Sequence, residues 1–191
     1  MRRCAKAVFI SLFFFAGMCS YVSAQVLIQM DPSGKPTRVR DEGYNWSPPI
    51  PVYSSPDLDI FVPDITSAKW LASHGKHFHE TGTYPVSLYS YYKNESACKR
   101  EMIPPGHSTD PKWQQVCSEL RYKVQDLVVD TRKKTITISQ TILLGSDASY
   151  RREYSFSANA SFSYASPSGS AAKAVVNASA MVEKAVSHMG P

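Results

Sequence analysis

The sequence predicts an α+β fold, an antiparallel β-meander packed by a C-terminal amphipathic helix, with an extended Pro-rich N-terminal arm. Two observations predict the folded part. Apolar and polar residues alternate along several stretches of residues 120–164, and a segment with helical spacing of apolar residues follows them. One observation predicts the arm, because seven of the 13 prolines fall between Pro32 and Pro63. We therefore expect a single α+β domain at residues 64–191 and an arm at residues 25–63.

A β-hairpin is predicted in the middle of the domain. Leu120, Tyr122 and Val124 occupy every second position of a first run, and residues 135–144 repeat the alternation with isoleucine and leucine. The two runs are joined by the polar, charged segment 130–134. Two alternating runs separated by a short charged turn are typical of a hairpin.

The strictest alternation in the chain predicts the third strand. Apolar side chains share one face and serine or asparagine the other; the apolar set is Tyr154, Phe156, Ala158, Ala160, Phe162 and Tyr164. A helix is then expected from about Ser168 to Met189, where alanine and valine line one side. We expect Phe156 and Phe162 to face this helix through Val175 and Val182.

The first half of the domain gives weaker signals. Residues 64–75 predict a short helix that Asp64 or Ser67 caps and Gly75 ends. An aromatic-rich strand is expected at residues 83–93, and Pro85 predicts that it lies at a sheet edge or begins there. Residues 103–112 predict a loop in which Asp110 caps one turn of helix with Pro111 at its first position.

The N-terminus predicts export. Residues 1–6 carry three positive charges, residues 7–17 form a short apolar run, and Val22-Ser23-Ala24 places small residues before Gln25. This is the order of a secretory signal peptide, which we assign to residues 1–24. Eleven helical residues rise only about 16 Å, too short for a hydrocarbon core of about 30 Å. We expect the mature chain in the periplasm or outer envelope of a bacterium, with the extracellular space as the alternative.

Cysteine usage agrees with an oxidising compartment. Cys4 and Cys19 lie within the signal peptide, so the mature chain keeps only Cys98 and Cys117. An even pair in an exported protein predicts a disulfide bond. No C-x-x-C motif points to zinc thiolates instead.

Charge excludes several classes of partner. Removing Arg2, Arg3 and Lys6 from the 21 basic residues leaves 18 against 16 acidic residues, a net charge of +2. This balance does not predict nucleic-acid binding. The mature chain also lacks the run of about 18 apolar residues that a transmembrane helix needs.

Two histidines are the best chemical candidates. In a strand, His77 and His79 would point to the same face, a geometry that can hold zinc. The competing interpretation is a pair of solvated loop histidines, which the surrounding polar sequence favours. A Ser-x-x-Lys pattern at Ser170 lacks the partner motifs of serine hydrolases, so we assign no catalytic residue and no cofactor.

Aromatic residues are the candidate binding residues. The arm contributes Tyr44, Trp46 and Tyr53, and the aromatic strand contributes Tyr84, Tyr89, Tyr91 and Tyr92. Aromatic side chains offer a large contact area at small entropic cost. For the strand, the alternative is a half-buried position where tyrosine is simply favoured.

The sequence predicts function only at the level of class. The first hypothesis is a non-enzymatic envelope protein that binds another envelope or secreted protein, as a component or accessory of an assembly, through its arm and aromatic strand. The second is a small metal-dependent hydrolase that uses His77 and His79. The third is an inhibitor or immunity-type protein of the same compartment. The zinc content of the protein separates the second hypothesis from the first.

Overall fold

The computed structural model describes residues 27–32, 35–41, 45–103, 106–145, 150–155 and 161–189. These residues form a small three-stranded sheet, a curled seven-stranded antiparallel sheet and four helices. The small sheet consists of β1 (Ile28–Met30), β2 (Pro36–Arg40) and β3 (Trp46–Ser47). The main sheet consists of β4 (Ile50–Ser54), β5 (Leu58–Val62), β6 (Thr83–Tyr92), β7 (Leu120–Asp130), β8 (Thr135–Gly145), β9 (Tyr150–Ser155) and β10 (Ser161–Ser163). The helices are α1 (Ala68–Thr81), α2 (Glu95–Met102), α3 (Pro111–Glu119) and α4 (Ser170–Ser187). The predicted α+β class and the C-terminal helix are confirmed.

The main sheet is a meander. Strands β4 to β8 follow each other across the sheet in chain order, and each pairs antiparallel with the next. Helix α1 connects β5 to β6, and α2 and α3 connect β6 to β7. The predicted hairpin is present as β7 and β8, and its turn places Lys134 at a positive φ of 57°.

The third predicted strand forms as two pieces at the end of the sheet. Both β9 and β10 pair with β8, and Phe162 lies opposite Ile136. The predicted contact of Phe162 with the C-terminal helix is wrong, because its side chain is 56% exposed. Helix α4 packs mainly against β4, β5 and α1, and it does not cover Phe162. Phe156 lies outside the described residues.

The described parts of the Pro-rich segment include extended strands, as predicted, but these strands belong to the domain. Strand β4 pairs with β5, and β5 pairs with β6. Leu58, Ile60 and Val62 are buried in the main core. The expected boundary at residue 64 therefore cuts the main sheet. Pro51 lies on β4, the edge strand of the main sheet, which is where proline is found in sheets.

Helix α1 runs past its predicted end. Ser67 caps it as expected, accepting a hydrogen bond from the Trp70 N–H, but the helix continues through Gly75 to Thr81. A Cβ built at Gly75 would lie 2.8 Å from the Met189 sulfur, so this glycine permits a close approach of the α4 end. The helix stops at Gly82, which has a left-handed φ of 74°.

Strand β6 lies between β5 and β7 and is not an edge strand over its whole length, but the part that contains Pro85 is locally at an edge. This position accommodates a residue that has no backbone N–H. Strand β5 pairs only with Tyr89–Tyr92, so the part of β6 that contains Pro85 has a paired neighbour, β7, on one side only. The missing N–H of Pro85 therefore breaks no bond to β5.

The predicted disulfide is confirmed. Cys98 on α2 and Cys117 on α3 are bonded, with their Cα atoms 5.5 Å apart. Helix α2 was not predicted; it begins after Asn94, whose side chain accepts from the Ala97 N–H. Helix α3 begins with Asp110 as cap and Pro111 at its first position, as expected, but it is nine residues long.

Apolar side chains form two cores on opposite faces of the main sheet. The larger core lies under the helices and includes Ile60, Tyr84, Cys98, Val175 and Val182. The second core lies under the small sheet and consists of Leu27, Ile28, Val39, Phe61, Tyr89, Tyr122, Val124 and Leu144. None of the helices in the described residues is long and apolar enough to cross a membrane.

Candidate functional site

The tyrosines of β6 are interior residues. Tyr84, Tyr89 and Tyr92 are at most 1% exposed. Tyr91 is half-buried and stacks on Tyr122, with ring centroids 5.1 Å apart. These side chains do not form the exposed aromatic surface that the binding hypothesis requires, because helices cover one face of β6 and the small sheet covers part of the other.

The buried phenols differ in their hydrogen bonds. The Tyr84 hydroxyl lies 3.0 Å from Ser179 Oγ on α4, and the Tyr89 hydroxyl donates to the Arg40 carbonyl at 2.7 Å. The Tyr92 hydroxyl has no hydrogen-bond partner in the described part of the chain. Burial raises the pKa of all three phenols, so each stays protonated well beyond neutral pH.

The two candidate histidines are not brought together for metal binding. They lie on α1 rather than on a strand, and positions two apart on a helix point to nearly opposite sides. His77 Nε2 lies 2.9 Å from Thr83 Oγ1, and the His79 side chain is exposed. Within the described residues, no group of three or more His, Cys, Asp or Glu side chains is arranged to hold a metal ion.

Of the arm's aromatic residues, Trp46 lies at a concave site. Tyr44 is outside the described residues, and Tyr53 is half-buried against the main core. Trp46 lines a cleft of about 510 Å³, which has residues 41 and 45–48 on one side and the first turns of α1 on the other. The lining residues are Asp41, Asn45, Trp46, Ser47, Pro48, Asp64, Ser67, Lys69, Trp70, Ser73 and His74. We call this feature the Trp46 cleft.

Two hydrogen bonds hold the walls of the Trp46 cleft together. Lys69 Nζ donates to Asn45 Oδ1 at 2.7 Å, and the Asp64 N–H donates to Ser47 Oγ at 3.0 Å. Each bond joins one of residues 45–48 to a residue at or just before the start of α1. The cleft is therefore built from parts distant in sequence, and its shape depends on docking of the small sheet.

Trp70 is the residue of this site that sequence reasoning missed. Its indole stacks on the His74 ring at 4.7 Å and meets the Tyr84 ring edge-on at 6.2 Å. The Trp70 Nε1–H is buried and has no acceptor among the residues described. A tryptophan one position after a lysine in a helix resembles an ordinary core residue, so only the three-dimensional packing shows that it lines a cleft.

The two edges of the main sheet differ in their protection. At the β4 edge, Pro51 lacks a donor and Asn177 Nδ2 donates to the Val52 carbonyl at 2.7 Å. At the other edge, β10 has no strand on its outer side among the described residues. All three β10 side chains are exposed. Val128 of β7, which is separated from β10 by β8, is 46% exposed. Exposed edges lacking proline or charge are templates for strand addition.

Comparisons of this chain with protein-family models, with curated proteins and with solved structures find no match. The geometry of the molecule offers two surface features, the open β10 edge and the Trp46 cleft.

Proposed function

We propose that this chain is an exported, non-enzymatic protein of a bacterial envelope that binds another protein by adding an extended partner segment to the open β10 edge. The observation that carries the proposal is the contrast between the protected β4 edge and the exposed β10 edge. Strand addition supplies affinity through main-chain hydrogen bonds, and side-chain contacts supply specificity. Phe162, 56% exposed, offers the side-chain contact.

Export is supported by the signal-like residues 1–24 and by the Cys98–Cys117 disulfide. Residues 1–24 lie outside the described residues, so their cleavage is part of the proposal. The hydrolase hypothesis receives no support from His77 and His79, which point apart on α1. An inhibitor of another envelope protein would use the same edge and differs only in the identity of its partner.

The backbone of β10 presents donors in the required direction. The Tyr164 N–H donates to the Lys134 carbonyl at 2.9 Å, so it points toward β8. Hydrogen-bonding directions alternate along an antiparallel strand, so the N–H groups of Ser161 and Ser163 point away from the sheet. A partner strand would accept hydrogen bonds from these two groups.

The test removes one outward donor without breaking the sheet. Ser163→Pro deletes the outward N–H, whereas Ser163→Ala keeps it and removes only the hydroxyl that accepts from the Ala165 N–H. We expect capture of a native envelope partner by the mature chain to be lost in the first variant and retained in the second. Circular dichroism should show the same melting curve for both. Full capture by Ser163→Pro would contradict the proposal.

A photocrosslinking residue provides a second readout. Placed at Ser161 on β10, it should form an adduct of defined mass with an envelope protein. Placed at Lys112 on α3, an exposed position of another element, it should not. Adducts at Lys112 alone would move the contact away from the edge.

A further inference from the structure

We propose that the Trp46 cleft is a binding site for a neutral, hydroxyl-rich ligand, a sugar unit of a glycan. This site is separate from the β10 edge and does not depend on the protein partner proposed there. The cleft volume of about 510 Å³ falls within the range of small-molecule sites, about 300–1,000 Å³. Its walls are fixed by the Lys69–Asn45 and Asp64–Ser47 hydrogen bonds, so the site exists without a ligand.

The formal charges around the cleft favour an uncharged ligand. Asp41 and Asp64 line it together with Lys69. The Arg40 guanidinium lies over the Trp46 ring at 4.5 Å from its centroid, adding a second positive charge beside the site. Among the described residues, the two carboxylates and two cations at the cleft balance, so their net field favours neither an anion nor a cation.

The apolar part of the lining suits the carbon face of a sugar ring. Trp46 is half-buried and Pro48 is exposed, and both line the cleft. A large, rigid indole contributes contact area at small entropic cost. Trp70 is 4% exposed and forms the buried floor, held by its contacts with His74 and Tyr84.

The polar part of the lining suits hydroxyl groups, which donate and accept at once. Asp64 Oδ1 accepts from the Thr66 N–H and hydroxyl, whereas Asp64 Oδ2 has no partner within the described part of the chain. The Trp70 Nε1–H likewise lacks an acceptor there. The Trp70 Nε1–H is enclosed and does not reach the cleft surface, so the acceptor offered to a ligand hydroxyl is Asp64 Oδ2.

Nuclear magnetic resonance of the mature chain tests the site directly. The chain has three tryptophans, and Trp113 on α3 does not line the cleft. We expect neutral trisaccharides of glucose or N-acetylglucosamine, titrated to about 10 mM, to shift the indole N–H signals of Trp46 and Trp70 saturably while that of Trp113 stays fixed. Trigalacturonate and trilysine serve as anionic and cationic probes of the same size class.

Variants separate the cleft from other surfaces. Trp46→Ala should weaken sugar binding at least tenfold, and Asp64→Asn should weaken it several-fold, while Trp113→Phe should leave the affinity unchanged. The inference is overturned if no neutral sugar gives saturable shifts, if Trp46→Ala binds as tightly as the parent chain, or if trilysine binds better than every neutral sugar. Loss of partner capture in Ser163→Pro with intact sugar binding would support both proposals independently.

Discussion

The two faces of the main sheet are closed in different ways. Four helices and a disulfide cover one face, and their core draws side chains from β4 through β8. Three short strands cover part of the other face, and their core has only eight buried residues. The helix face is thus closed by elements of residues 64–189, whereas the small-sheet face is closed by residues from before Pro48.

Two buried phenols attach the small sheet to the main sheet. Tyr89 donates to the Arg40 carbonyl at 2.7 Å, and Tyr122 donates to Met30 Sδ at 3.1 Å. Val39 of β2 is completely buried between them and their neighbours. A proline-rich segment with scattered apolar residues can therefore be a structural layer of its own domain. The apolar residues that suggest a docking arm are here buried in the second core.

Truncation should have the largest effect and tests whether the two faces are independent. Residues 64–191 lack β4 and β5, which contribute Leu58, Ile60 and Val62 to the main core, so this fragment should not melt cooperatively. Residues 48–191 keep both strands and lose only the small sheet, so this fragment should melt cooperatively at a lower temperature. Circular dichroism at increasing temperature measures both. A cooperative transition in the shorter fragment would restore the arm as a separate unit.

Much of the helix face could be predicted from the sequence because its signals are local. The alternation at residues 120–144 gives the β7–β8 hairpin, and helical spacing gives α4 with Val175 and Val182 buried. The cysteine pair gives the disulfide that joins α2 and α3. In each case the periodicity or pairing lies within the element itself.

The rest depends on contacts between distant segments. Alternation shows that Phe162 shares a face with Tyr164, but only the placement of the helices decides that Tyr164 is buried and Phe162 is exposed. Gly75 lies within α1 and allows the close approach of Met189, a residue more than 100 positions later. Of the Trp46 cleft, the sequence indicated Trp46 alone, because the opposite wall comes from α1.

Two neighbouring residues of β5 allow the stability of the two cores to be tested separately. Ile60 points into the main core and Phe61 into the second core. Ile60→Ala and Phe61→Ala should each cost about 2–5 kcal/mol in the mature chain, measured by urea denaturation. In residues 48–191, where Phe61 loses its cover, the second cost should fall below about 1 kcal/mol while the first stays the same. Equal costs in that fragment would mean that the small sheet does not shield Phe61.

Removing the disulfide should weaken the helix face alone. Cys98→Ser should lower the free energy of unfolding by about 2–4 kcal/mol, because the loop between the two cysteines is no longer closed. Trp46 lies on β3 of the small sheet and not on the helices that the disulfide joins, so its indole N–H signal should not shift. Labelling of two free thiols in the native parent protein would contradict the assignment before any variant is made.

Alkaline pH should destabilise both faces through their tyrosines. Burial raises the pKa of Tyr84 and Tyr92 on the helix face and of Tyr89 and Tyr122 on the small-sheet face. A phenol whose folded pKa lies above its unfolded value of about 10 contributes stability that is complete below that pH and is lost as pH rises. The loss reaches about 1.4 kcal/mol per pH unit for each tyrosine. Urea midpoints measured between neutral pH and strongly alkaline pH should stay flat and then fall.

The smallest expected effect compares one hydroxyl on each face. Tyr92 on the helix face has a buried hydroxyl without a partner among the described residues, whereas the Tyr89 hydroxyl donates to the Arg40 carbonyl. Removing an unpaired buried hydroxyl relieves a desolvation penalty, and removing a paired one leaves a carbonyl unsatisfied. Tyr92→Phe should therefore stabilise the protein by up to about 1 kcal/mol, and Tyr89→Phe should destabilise it by about 1 kcal/mol. Urea denaturation at neutral pH resolves the two signs. If both variants destabilise equally, the Tyr92 hydroxyl has a partner in the native protein and the two faces do not differ in this respect.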